Sequence, residues 1–146
     1  MVRRLQSPSI VRHPASSQGH IRAAAFTGSI YFWGQGATID YPRAMAAYKV
    51  GAEGGIAVCQ WQVGMMYYKG LGVAVDFKQA RPWFEKGAAQ DEPAAVGQLG
   101  VMYLKGECMT PSWRRSREYY ERAIKLGSSM AVENMQTLTE SIQAVS

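Results

Sequence analysis

Residues 63–73 read Val63-Gly64-Met65-Met66-Tyr67-Tyr68-Lys69-Gly70-Leu71-Gly72-Val73. Thirty-six residues downstream the pattern returns as Leu99-Gly100-Val101-Met102-Tyr103-Leu104-Lys105-Gly106-Glu107. The same distance upstream stand Gly28, Tyr31, Gly34 and Gly36. Continuing past the glycines, one step links Asp40, Asp76 and Ser112, another Ala44, Ala80 and Ser116, and a third Tyr48, Phe84 and Tyr120. No gap is needed from about residue 21 to 127. An ungapped period of this length is the mark of stacked supersecondary units that share one continuous core.

Each copy reads as two helices. Helix A is expected over about 22–33, 58–69 and 94–105, ending at Gly34, Gly70 and Gly106, where glycine supplies the left-handed C-cap. After a short loop, Asp40 or Asp76 offers a carboxylate to free backbone N–H groups and starts helix B. In the third copy, Thr110-Pro111-Ser112 offers two starts. Helix B is expected over about 41–53, 77–90 and 112–126. Gly28, Gly64 and Gly100 let a neighbouring helix approach, and Ala44 and Ala80 share a face with Tyr48 and Phe84, so small residues and rings interdigitate. Pro82 is expected to kink its helix or remove a hydrogen bond, and Gly51 and Gly87 to bend or end theirs.

The ends differ from the repeats. Residues 129–145 repeat helix A alone, with Ala131, Met135, Leu138, Ile142 and Val145 on one apolar stripe and Gln136 at the slot of Gly100, as befits a cap. Residues 1–20 do not match. They open a segment through residue 22 that holds Arg3, Arg4, Arg12 and Arg22 and no acid, and Gln18-Gly19-His20 resembles the end of a preceding helix B. A basic arm, the remains of an organelle transit segment, or a cut through a longer solenoid all suit it. The expected organisation is therefore a non-repeat segment at 1–20 and a repeat domain at 21–146, with repeats at about 21–56, 57–92 and 93–128 and the cap at 129–146.

With the repeat in hand, the chain resembles the Sel-1-like repeat family, a branch of the tetratricopeptide-like α/α solenoids. The second copy carries the likeness best, through Val63 to Val73 and then Asp76, Lys78, Ala80, Trp83-Phe84 and Lys86. The third copy departs at Cys108 for Gly72, Ser112 for Asp76 and Ser116 for Ala80. Pentatricopeptide repeats have a similar length but lack the Tyr-x-x-Gly-x-Gly loop seen at Tyr67 to Gly72. The resemblance implies an all-α, right-handed α/α superhelix of three repeats plus a C-terminal capping helix. It also implies an adaptor that holds other proteins together.

Catalysis finds little support. His13 and His20 are the only histidines, both outside the repeats, and no HExxH, GxSxG, CxxC or GxxxxGK[ST] motif occurs. Some secreted, cysteine-rich members of the family act on β-lactams. They carry a cysteine pair in each repeat, whereas this chain has Cys59 and Cys108 alone. Both are expected to be free thiols, at least partly buried, in a reducing compartment. No cofactor or metal is implied. There is no apolar run long enough to span a membrane. The expected location is cytoplasmic, or organellar if the first residues belong to a transit sequence.

Binding should use the helix A positions that the repeat does not reserve for packing. In the second copy these are Trp61, Met65, Tyr68 and Lys69, one helical stripe. Matching slots hold Ala25, Ser29, Phe32 and Trp33 in the first copy, and Gly97, Val101, Leu104 and Lys105 in the third. Phe32, Trp33, Trp61, Met65, Tyr68, Lys69, Val101, Leu104 and Lys105 are thus the candidate partner-binding residues, on a concave groove suited to a peptide or protein with apolar anchors and an acidic flank. Alternatively, some of these rings pack between neighbouring helices. A competing reading is RNA binding. The net charge is +5, and Arg114, Arg115, Arg117, Arg122 and Lys125 cluster on the third helix B, although Glu118 and Glu121 interleave with them.

Overall fold

A computed structural model describes residues 15–145 of the chain. Among the described residues there are seven helices and no strand: α1 (Ala15–Trp33), α2 (Tyr41–Glu53), α3 (Ala57–Lys69), α4 (Phe77–Ala89), α5 (Pro93–Lys105), α6 (Trp113–Lys125) and α7 (Ser129–Val145). Each packs on its neighbours in the chain, and α5 also reaches α7, so the helices stack as an all-α solenoid. The pairs α1–α2, α3–α4 and α5–α6 are the three repeats, and α7 is an unpaired helix A.

One contact builds each pair. A Cβ at Gly28 would stand 2.6 Å from Cδ1 of Tyr48, one at Gly64 2.6 Å from Cε1 of Phe84, and one at Gly100 2.7 Å from Cδ1 of Tyr120. Only a hydrogen fits between helix A and the ring of helix B. Tyr48, Phe84 and Tyr120 are all buried, as are Ala44, Ala80 and Ser116 one turn earlier. Burial of each such ring contributes on the order of 1.5–3 kcal/mol.

The loops repeat as closely. Gly34, Gly70 and Gly106 turn the chain at φ 70°, 73° and 71°. The N–H groups of Asp40, Asp76 and Ser112 then donate to the carbonyls of Tyr31, Tyr67 and Tyr103, each at 2.9 Å. Those three side chains cap helix B: Asp40 accepts from the Arg43 N–H, Asp76 from Gln79 and Ser112 from Arg115. Ser112, not Thr110, is therefore the start of α6.

A second small-residue contact joins successive repeats. Gly51 and Gly87 neither end nor break their helices, which run on to Glu53 and Ala89. A Cβ at Gly51 would lie 2.7 Å from Cys59 Sγ, and one at Gly87 2.9 Å from Cβ of Ala95. In the third step Ala123 and Ala131, both buried, hold the same slots. Helix α4 also continues through Pro82, which has no N–H to give to the ladder.

Three expectations change at the ends and in the third loop. Among the described residues helix α1 is already formed at Ala15, well before residue 22, so Gln18-Gly19-His20 lies inside it and is not the end of an earlier helix B. Ala23, Ala24 and Ala25 favour the propagation of α1. Expectations for residues 1–14 lie outside the described residues. In the cap, Ala131 and Leu138 are buried and Met135 and Ile142 half-buried, but Val145 is 75% exposed. Ile142 stands where the other A helices have their terminal glycine, so α7 runs straight on, and Val145 overshoots the packed stripe. Finally, Cys108 is exposed, and it holds the left-handed backbone of its loop at φ 54°.

The glycine–ring contact yields a direct test. Gly100→Leu should overpack the contact with Tyr120 and destabilise the protein by about 1–3 kcal/mol. The melting temperature should fall by about 2–4 °C per kcal/mol. An unchanged melting temperature would show that Gly100 is not a point of close approach.

Candidate functional site

The first two repeats enclose a cleft of about 270 Å³ between α1 and α3, lined by Phe32, Trp33, Trp61, Gln62, Met65, Lys69 and Leu71. Five of the candidate binding residues meet there. Phe32 forms a wall held from behind, its ring 5.4 Å from that of Tyr41 and 6.1 Å from that of Tyr48. Trp33 stands edge-on to Phe32 at 4.8 Å and is 60% exposed. Trp61 and Met65 are half-buried on α3, and Lys69 is exposed one turn on. The Trp61 indole N–H is buried with no acceptor among the described residues. Such an unmatched donor costs about 1–3 kcal/mol.

The other four candidates lie elsewhere. Tyr68 does not line the cleft. Its ring packs 5.0 Å from Phe77 and 6.1 Å from Phe84, and its hydroxyl donates to Glu107 Oε1 at 2.7 Å. Burial, and then the Glu107 carboxylate, push the phenol well above its ordinary range. Phe32 and Tyr68 thus make the same recurring contact with helix B, so this row serves packing even though Phe32 shows an edge to the cleft. Val101 and Leu104 are half-buried against the core of the third repeat, where Lys105 is exposed. The pattern of α1 also leaves Phe26 67% exposed, at the slot where α3 and α5 bury Gln62 and Gln98. The described residues place no helix against that side of α1.

Most of the helix B cations already have partners. Arg122 donates to the carbonyl of Ala88 and pairs with Asp91 at 2.8 Å. Arg117 pairs with Glu121 at 3.5 Å, and the Arg115 guanidinium lies over the Tyr103 ring. A second cleft, of about 490 Å³, mixes both signs, with Trp113, Arg114, Arg117, Glu118, Glu121 and Ile142 around it.

The Sel1 repeat model matches residues 21–56, 57–92 and 93–128. The chain belongs to the Sel1 repeat family. A Sel1 repeat protein from Oxalobacter formigenes superposes with a TM-score of 0.72 at 30% identity, covering 89% of this chain and 50% of that one. A protective antigen of uropathogenic Escherichia coli, described as displaying an SLR fold, gives 0.74 at 32% identity over 80% of this chain and 25% of that one. Cysteine-rich protein B of Helicobacter pylori shares the fold, with a TM-score of 0.65 at 17% identity. No curated protein matches the chain. This Sel1 chain therefore spans half of the Oxalobacter protein and a quarter of the Escherichia antigen. Sel1 repeat proteins generally bind other proteins as scaffolds and are generally non-catalytic. Among the described residues no helix is long and apolar enough to cross a membrane.

The two thiols should behave differently. Burial pushes the Cys59 thiol up to about 11, while Cys108 is exposed. At neutral pH Cys59 therefore stays a shielded thiol, a poor nucleophile. A maleimide should label Cys108 alone in the native protein and both cysteines after unfolding, as read by mass spectrometry. Equal native rates would show that the contact between Cys59 and Gly51 opens readily.

Proposed function

We propose that this Sel1 repeat chain is a non-catalytic scaffold that holds a partner protein or peptide in the groove of its A helices, centred on the cleft between the first and second repeats. One observation supports this most. Helix A positions outside the recurring glycine–ring contact bring Trp33, Trp61, Met65 and Lys69 together around a single cleft. An exposed Trp beside half-buried Trp, Phe and Met side chains has the aromatic- and Met-rich composition of protein interface cores. At about 270 Å³ the cleft falls just below the ~300–1,000 Å³ usual for small-molecule sites, a size for a side chain of a larger partner. Val101 and Lys105 extend the same face along the solenoid, whereas Tyr68 and Leu104 belong to the row that packs on helix B. A reducing compartment, the cytoplasm or the interior of an organelle, suits this reading, since both cysteines are free.

Trp33 is the residue with which to test the proposal, because its exposure frees it from a role in folding. In affinity capture from the source organism, Trp33→Ala should weaken retention of the partner by roughly 2–4 kcal/mol, the loss of one aromatic anchor, with circular dichroism unchanged. If Trp33→Ala keeps the partner and Arg114→Glu with Arg117→Glu loses it, the groove is the wrong site. Retention of RNA that resists physiological salt and depends on α6 would favour the nucleic-acid reading instead.

A further inference from the structure

The charges on the solenoid are sorted by helix. Helices α1, α3 and α5 contain no Asp or Glu at all, and their cations are Arg22, Lys69 and Lys105. Every other helix carries acid: Glu53 on α2, Glu85 on α4, Glu118 and Glu121 on α6, Glu133 and Glu140 on α7. In the loop after α5, Glu107 is engaged by the Tyr68 hydroxyl. The groove face of the repeats is thus apolar and singly signed, while the helix B face mixes both signs.

We infer that the occupant of the cleft is an acidic segment of a partner protein that inserts one large apolar side chain beside Trp33 and Trp61 and sets carboxylates against Lys69. This rests on the groove reading above and adds the chemistry of the ligand. Lys69 lines the cleft itself, next to Trp61 and Met65. Lys69 is exposed at the rim of these apolar walls, where its ammonium draws carboxylates toward the cleft through a salt-dependent attraction. A basic segment would meet like charge with no acid on α1 or α3 to offset it, and such juxtaposition selects against wrong partners. Phe32 is backed by Tyr41 and Tyr48, so one wall is set before anything binds.

Three labelled peptides test this by fluorescence anisotropy with the whole chain: one Phe flanked by Asp and Glu, the same with Ala for Phe, and the same with Lys for every acid. The first should bind. Loss of the Phe, and separately reversal of the flank, should each weaken binding about tenfold or more. Lys69→Glu should reverse the flank preference, and added salt should narrow it. If the Lys-flanked peptide binds as well as the acidic one and Trp33→Ala weakens both, the groove stands and the acidic ligand is wrong. If the acidic peptide binds but Trp33→Ala leaves it untouched, the groove itself is wrong. No measurable binding of any peptide, or indifference to Lys69→Glu, overturns the inference.

Discussion

The structure depends on a hydrogen atom's worth of space between Gly64 and the Phe84 ring, and on its copies at Gly28 with Tyr48 and Gly100 with Tyr120. That contact sets how closely helix A meets helix B. With the spacing set, the Gly-capped loop closes at the same carbonyl each time, that of Tyr31, Tyr67 or Tyr103. The small-residue contacts of Gly51 with Cys59 and Gly87 with Ala95 then seat each repeat on the next. Stability in such an array is a sum of repeat and nearest-neighbour terms. The geometry therefore propagates from one identical contact, with no long-range constraint needed.

This arrangement also decides where variety is tolerated. One side of helix A is closed by its own helix B and another by the helix B before it. Substitution on either would meet a ring or a Cβ. The remaining side is less tightly held, and there the three copies differ: Ser29, Met65 and Val101 in one slot, Trp33, Lys69 and Lys105 in another. An array of near-identical repeats thus acquires a local, non-repeating surface. In this chain that surface is most apolar at the junction of the first and second repeats.

Much of the fold was legible because its determinants are local and recur. The glycines that cap helix A, the aspartates that start helix B and the glycine–ring pairs all lie within one period, and helix bounds followed to within a residue or two except at α1. What escaped the sequence reading lay in contacts between repeats. Gly51 and Gly87 look like helix breakers in isolation, and only the next repeat's Cys59 and Ala95 explain them. Asp91 at φ 60° shares its slot with Gly55 and Gly127, a left-handed turn from helix B to helix A masked by the change of residue. At the candidate site, periodicity placed Trp61, Met65 and Lys69 on one stripe with Trp33, and the structure draws them round one cleft. It could not show that Tyr68 turns back onto Phe77, Phe84 and Glu107, because helix rotation by a single position separates a groove residue from a packing one.

The four tryptophans provide the most direct measurement. Trp33 and Trp61 line the cleft on the A helices, whereas Trp83 and Trp113 lie on the B helices. A two-dimensional 1H–15N spectrum resolves one indole resonance for each. On titration with a partner isolated by capture, the account predicts that the Trp33 and Trp61 resonances shift or broaden while Trp83 and Trp113 stay in place. Movement of Trp83 or Trp113, with Trp33 and Trp61 unchanged, would contradict it.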